Sequence, residues 1–365
     1  MHMKKFAFYL PQFHRIPEND KWWGKGFTEW TNVKKAKPLF RGHHQPQIPK
    51  DGNYYSLDDP QTLSWQASLA KSYGVDGMIF YHYYFSGKML LEKPAELLLN
   101  NRDIPMNFFF CWANHSWYRS WEGSKELLVE QIYGKLNDWE NHFQYLLPFF
   151  KDERYEKRNN KPLLMIFKSD FRDKNAYLEF LDKRCKDEGF AGLCGIEILE
   201  SYDERKIAEF KKKTSKATEF VHLREPASML SNYVLKLNYL PNRFANALGK
   251  KFKGRANYLV RYSGQLMFAS ASKKQICDPS IIRGLCFEWD NTPRHGYRGY
   301  LISPPSKKEF FNYMRSVNNS EYVFINAWNE WCEGMILEPT EENGYKYLEW
   351  LKEWKDEYED RFNGI

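Results

Sequence analysis

Eight short apolar runs punctuate the chain, over residues 6–10, 77–81, 107–112, 163–167, 192–199, 220–223, 285–289 and 322–328. Each is continuously apolar rather than alternating. A strand buried on one face alternates apolar and polar side chains, whereas a strand covered on both faces reads as an unbroken run, as in parallel sheets. Helical patterns lie between the runs. Residues 60–73 open at Pro60 behind Asp58-Asp59 and stop before Gly74, a good pair of start and stop signals. Further helices are expected over 89–100, 138–151, 173–187, 203–213, 306–318 and 341–360. Strands alternating with helices at this count predict an α/β fold, a (β/α)8 TIM barrel, as one domain over residues 1–365. A doubly wound open sheet is the alternative, but no glycine-rich phosphate loop follows the first run. Long insertions over 11–57 and 224–282 follow the first and sixth strands. Both leave the C-terminal ends of strands, the face on which barrels carry their chemistry.

Those strand ends hold the candidate chemistry. The eighth run leads into Asn326-Ala327-Trp328-Asn329-Glu330-Trp331-Cys332-Glu333-Gly334. Two carboxyls at this spacing are common on any helix; their place directly after a buried strand sets them apart. Tryptophan desolvates a carboxyl and raises its pKa, as a general acid requires near neutral pH. Glu330 and Glu333 are therefore the candidate catalytic pair, on one loop, in the manner of a retaining displacement. Asn326, Trp328 and Asn329 flank them. Other strand ends are furnished alike: Tyr81, His82 and Tyr83 after the second run, Trp112 and Asn114 after the third, Trp289, Asp290, Asn291 and Arg294 after the seventh. The first insertion adds Gln12 and His14, and a stretch from Trp22 to Asn32 that includes Trp30 and reads as a loop laying rings over a cleft. These fifteen residues are the expected substrate contacts.

Composition sharpens this picture. Aromatic residues make up 18% of the 365. Most serve the core, but rings also stack on the C–H faces of sugars, so the enrichment fits a glycan cleft. The net charge of +7 concentrates in 205–216 and 243–261. These read as solvated helix faces, or alternatively as a patch for an anionic partner such as a charged polysaccharide or a lipid-phosphate carrier. No recognition motif points to nucleic acid. The six cysteines form no CxxC pair, and several sit in apolar runs, which points to buried free thiols in a reducing, cytoplasmic compartment. His14, His43, His44 and His82 match no metal-ligand spacing, so neither metal nor cofactor is expected. No GxSxG elbow is present. No signal-like or membrane-spanning stretch is seen, and the first strand is expected to start almost at once, with Met3 as the native start.

Several segments together resemble the WbsX family, which is related to the family 99 glycoside hydrolases, the endo-α-mannosidases and endo-α-mannanases. They are Tyr9-Leu10-Pro11-Gln12-Phe13-His14, the run from Gly24 to Asn32, Cys111-Trp112-Ala113-Asn114, Trp289-Asp290-Asn291-Thr292 and Trp328-Asn329-Glu330-Trp331. They occur in the expected order over nearly the whole chain. The resemblance implies a metal-free barrel active in bacterial O-antigen or capsule metabolism, with an oligosaccharide or polysaccharide partner and peripheral contact with a lipid-linked glycan. It implies a retaining hydrolase for an α-linked, mannose-like sugar that passes through a 1,2-anhydro intermediate. By motif position Glu330 matches the base toward the sugar 2-hydroxyl and Glu333 the acid/base. His115 stands where the family pattern implies a glutamate, and Cys332 where it implies glycine or histidine. Two alternatives remain: a glycosyltransferase of O-antigen or capsule assembly, for which no DxD-type motif is present, and a non-catalytic glycan-binding barrel.

Overall fold

The computed structural model describes residues 3–119, 126–231, 259–317 and 320–363, with 244, 247–249 and 251 between them. Eight parallel strands form its centre: β1 Lys4–Tyr9, β2 Gly77–Phe85, β3 Phe108–Trp112, β4 Lys161–Ile166, β5 Cys194–Leu199, β6 Thr218–Leu223, β7 Ile281–Leu285 and β8 Tyr322–Ile325. Each pairs with its neighbours, and β1 pairs with both β2 and β8, which closes the barrel. A helix follows every strand: α1 Pro60–Ser72, α2 Lys93–Asn100, α3 Leu136–Lys151, α4 Lys174–Asp187, α5 Glu204–Lys211, α6 Gly264–Ser272, α7 Lys307–Val317 and α8 Lys346–Asn363. Among the described residues no helix is long and apolar enough to cross a membrane.

The unbroken apolar runs have the expected cause, since each strand buries both faces. Phe6 on β1 meets Phe109 on β3 at 5.3 Å between ring centroids, and Phe109 meets Phe324 on β8 at 5.5 Å. These strands are not neighbours, so the contacts cross the barrel interior. The alternate residues face outward. The Tyr9 hydroxyl donates to Gln66 of α1 at 2.7 Å, and Phe110 packs against Phe149 of α3 at 4.9 Å.

Three expectations shift. The seventh strand is Ile281–Leu285, not 285–289, and residues 286–288 already belong to the loop. Arg283 broke the apolar run, yet it is buried, its guanidinium 4.7 Å from the Tyr313 ring centre and bonded to Ala271 and Lys274 carbonyls. The helix expected from residue 89 begins at Lys93, because Lys88–Leu90 folds back on β2 as a hairpin. The second insertion contains α6, which was not expected. Of the basic runs, 205–216 lies on and just after α5, where Arg205, Lys206, Lys212 and Lys213 are exposed. Most of 243–261 lies outside the described residues. Five cysteines are buried, whereas Cys277 is exposed.

Gly77, at the start of β2, shows how tightly the interior closes. A Cβ there would stand 2.4 Å from a Phe6 ring carbon and 2.5 Å from the Asn107 carbonyl oxygen. Gly77→Ala is expected to destabilise the fold by about 1–3 kcal/mol, the usual cost of overpacking a tight core. Urea denaturation measures it, and an unchanged midpoint would show that β1 and β3 yield freely.

Candidate active site

Glu330 and Glu333 stand at the C-terminal mouth, on the loop that leaves β8. Asn329–Glu330 pairs antiparallel with Met335–Ile336, and Trp331–Glu333 makes one 3-10 turn between them. Gly334 ends the turn at φ +64°, and a Cβ there would meet the Asp290 backbone nitrogen at 2.9 Å. Only glycine combines that backbone conformation with that approach.

Arg294, from the loop after β7, organises the site. Its Nη1 donates to Glu333 Oε1 at 2.5 Å, and its Nη2 to Glu29 Oε2 at 3.2 Å while lying 4.0 Å from Glu330 Oε2. Trp289 Nε1 donates to the other oxygen of Glu333 at 3.3 Å. Glu330 is 8% exposed, and its Oε2 has no hydrogen-bond partner. Burial and then the neighbouring Glu333 push its carboxyl up to about 8, against the pull of Arg294. Glu29 is buried too, in a helix of the first insertion, with Oε1 unpartnered. Three carboxylates thus surround one guanidinium. Glu29 was missed in the sequence, although it stands within the run from Gly24 to Asn32; an acid in a tryptophan-rich loop was the available signal.

The expected contacts divide into two groups. Tyr81 faces the barrel interior beside Phe8, at 5.4 Å between rings. Gln12 donates to the Tyr83 hydroxyl at 3.3 Å and, with Trp22, Trp23, Glu29, His115, Trp117 and Arg294, lines a cavity of about 300 Å³. Trp289 and Arg294 touch Glu333 directly. These residues converge. A separate cavity of about 560 Å³ is lined by Trp289 and Asp290 together with Phe40, Arg261, Tyr262, Glu288 and Lys346; of the three carboxylates only Glu29 lines the smaller cavity, and none lines this one.

The others lie beneath the site rather than in it. His82 and Trp112 point outward to the helices. His82 Nε2 lies 2.8 Å from His142 Nε2, and Trp112 donates to the Tyr84 carbonyl at 3.1 Å. In a run buried on both faces, neighbouring residues point oppositely, and the sequence gives no parity. Trp30 is packed against Trp331 at 5.3 Å and donates to the Tyr55 carbonyl. Asn329 clamps Leu10, accepting from its N–H at 2.7 Å and donating to its carbonyl at 3.1 Å. Asn114 does the same for Lys168, and Asn326 donates to the Glu225 carbonyl. Asp290 accepts from Gln45 and His43, Asn291 accepts from the Tyr300 N–H, and His14 is buried. Among the described residues no group of three or more His, Cys, Asp or Glu side chains could hold a metal ion.

Beneath the pair lies Glu338, buried on four donors. Gln66 and Trp328 bond Oε1 at 2.6 and 2.9 Å; Tyr55 and Trp331 bond Oε2, each at 2.7 Å. Burial still pushes its carboxyl up to about 7. Glu338 therefore pins both tryptophans that flank Glu330. Glu338→Ala leaves four buried donors unpaired and is expected to cost at least about 3 kcal/mol, given roughly 1–3 for each such group. Chemical denaturation checks this; a loss below about 1 kcal/mol would show that water replaces the carboxylate.

The family model described as Glycosyltransferase WbsX matches residues 5–351. Two curated relatives, both described as Uncharacterized protein WxcX, come from two strains of Xanthomonas campestris pv. campestris. Each is 31% identical over 357 residues, covering 94% of this chain and 48% of its own length. The chain therefore spans about half the length of these relatives. Two solved structures of a GH99 endo-alpha-mannosidase from Bacteroides thetaiotaomicron share the fold. One, with bis-tris propane, has a TM-score of 0.58 at 14% identity, covering 100% of this chain and 99% of that one; the other has 0.55 at 13%, covering 98% of both. A glycoside hydrolase-like protein matches at 0.57 and 13%, covering 96% and 93%. Matched by its family model over almost its entire length, on a closed barrel with the carboxylate pair at the mouth, the chain belongs to the WbsX family.

Proposed function

We propose that this chain is one catalytic domain of a retaining glycoside hydrolase, acting in the cytoplasm on an α-linked, mannose-like sugar of a bacterial surface polysaccharide or its lipid-linked precursor. The observation that carries this is the pair itself: two carboxyls on one loop at the barrel mouth, with Arg294 between them and one carboxyl held high by burial. A carboxyl poised near the working pH is the kind that moves protons in a transition state.

In the proposed path Glu330 takes the proton of the sugar 2-hydroxyl. That oxygen attacks C1, the bond from C1 to the leaving oxygen breaks, and Glu333 protonates the leaving group. Glu333 then takes a proton from water, which opens the 1,2-anhydro sugar at C1, and Glu330 returns its proton to O2. Arg294 is placed to assist. A sugar that draws it from Glu333 towards Glu330 favours the ionised form of Glu330. Tyr81, Gln12 and Trp289 are proposed to orient the sugar. The site's charge distribution favours a second reading with the roles exchanged, in which Glu330, protonated below about pH 8, is the acid.

The pH profile separates the two. If Glu330 is the base, kcat/KM is lost as pH falls through about 8, because the ionised form disappears. If it is the acid, kcat/KM is lost as pH rises through the same value. Glu330→Gln should remove that limb either way, and a limb that survives it belongs to another group. Hydrolysis itself is tested by product analysis on the host's own polysaccharide, with and without nucleotide-sugar. Release of a sugar of retained configuration without nucleotide is expected. Turnover only when nucleotide-sugar is supplied would establish the transferase, as the family description has it, and binding without turnover a non-catalytic barrel.

A further inference from the structure

Across the mouth from the carboxylates, the strand ends are basic. His115 follows β3, Phe167 and Lys168 follow β4, and Arg224 is the first residue after β6. All three basic groups gather on one ring. The Arg224 guanidinium lies 4.6 Å from the centre of Phe167, the Lys168 ammonium 5.7 Å, and the His115 ring 5.3 Å. Tyr81, on the barrel axis, meets the same ring at 6.1 Å. We propose that the sugar bound at this mouth carries an anionic substituent, a carboxylate or a phosphate, held beside Phe167 by His115, Lys168 and Arg224. The inference rests on the reading that the mouth takes a sugar, and adds the class of that sugar.

Three observations carry it. The first is charge. Arg224 is paired with Glu200, but Lys168 makes no ion pair with any described residue, so the cluster keeps an excess positive charge. The second is preorganisation. Asn114, fully buried, accepts from the Lys168 backbone N–H at 2.7 Å and donates to its carbonyl at 2.8 Å. The clamp fixes the backbone from which the exposed Lys168 side chain reaches over Phe167. The third is His115, whose Nδ1 is buried without a partner. Burial, then Lys168 and Arg224, pull its pKa down to about 4, so the imidazole is neutral and offers an N–H or a lone pair without adding charge. An anion here would meet the Arg224 guanidinium held by Glu200, the exposed Lys168 ammonium and one adaptable donor beside the Phe167 ring. The positive charge of Arg224, which interacts with both Glu330 and Glu333, offsets part of their repulsion of such an anion.

The test reads equilibrium binding to the full chain, so failure of the hydrolase reading leaves it intact. Methyl α-D-mannoside, its uronic acid and its 6-phosphate are titrated by calorimetry at low salt. At least one acidic glycoside is expected to bind about ten-fold tighter than the neutral one, as a charge-assisted contact gives. The two acidic arms decide between carboxylate and phosphate. The preference should shrink with added salt, fall to within about three-fold in Lys168→Met, and survive in Lys168→Arg. The His115 imidazole resonances should report a raised pKa when the acidic glycoside saturates the site. Equal binding of acidic and neutral glycosides, a preference that survives Lys168→Met, or no binding of either acid at the highest soluble concentration overturns the proposal. Circular dichroism of Lys168→Met confirms that the variant folds; if it does not, the salt dependence and the His115 titration of the unaltered protein decide alone.

Discussion

Arg294 carries one positive charge and meets three carboxylates that reach it from two other loops: Glu29 from the first insertion, and Glu330 and Glu333 from the loop after β8. Removing a carboxylate from water costs several kcal/mol even after relaxation, and a single guanidinium cannot offset three such losses. Burial and the neighbouring Glu333 raise the carboxyl of Glu330, the more enclosed of the two glutamates on the β8 loop. The raised carboxyl is thus first a consequence of burial, and then of the acids that share one arginine with it. Glu333 on the β8 loop adds more to the shift than Glu29 of the first insertion, which adds a smaller push in the same direction.

Such a cluster keeps its shape only if the loops around it are rigid. Asn329 ties the eighth strand's exit to Leu10 at the first strand's exit, exactly where the barrel closes. Glu338 holds Trp328 and Trp331 from below, and Trp331 supports Trp30 beside Glu29. The residues that look most like sugar contacts in the chain, the tryptophans and asparagines of the motifs, are largely the frame. Their polar atoms are spent on backbone carbonyls, backbone N–H groups and one buried carboxylate. Most of these groups are satisfied, Asn326 Oδ1 and Asn32 Nδ2 being exceptions, and that limits the cost of a polar network beneath the mouth.

The mouth is electrically divided. One side, built on β8 and the first insertion, is acidic around Arg294. The other, after β3, β4 and β6, is basic around Phe167. Arg224 is paired with Glu200 and feels Glu333 more weakly. Such a field orients a charged sugar more strongly than an uncharged one before any bond breaks.

The sequence by itself determined the architecture and the place of the carboxylate pair. Unbroken apolar runs alternating with helical patterns fit strands buried on both sides, and Pro60 and Gly74 bracket a helix without help from the rest of the chain. The pair was legible because Glu330 follows such a run directly. What it could not determine was direction and distance. The same unbroken apolarity that reveals a barrel strand hides which residues face inward, so His82 and Trp112 were expected at the site although they face the helices. Arg283 concealed the true seventh strand, since nothing local announces that Tyr202 and Tyr313 will shelter it. Only the tertiary structure brought Glu29, Arg294, Glu338, Lys168 and Arg224 to their places. Their partners lie far away along the chain, 265 residues apart for Glu29 and Arg294, and no local pattern encodes a contact that closure of the barrel creates.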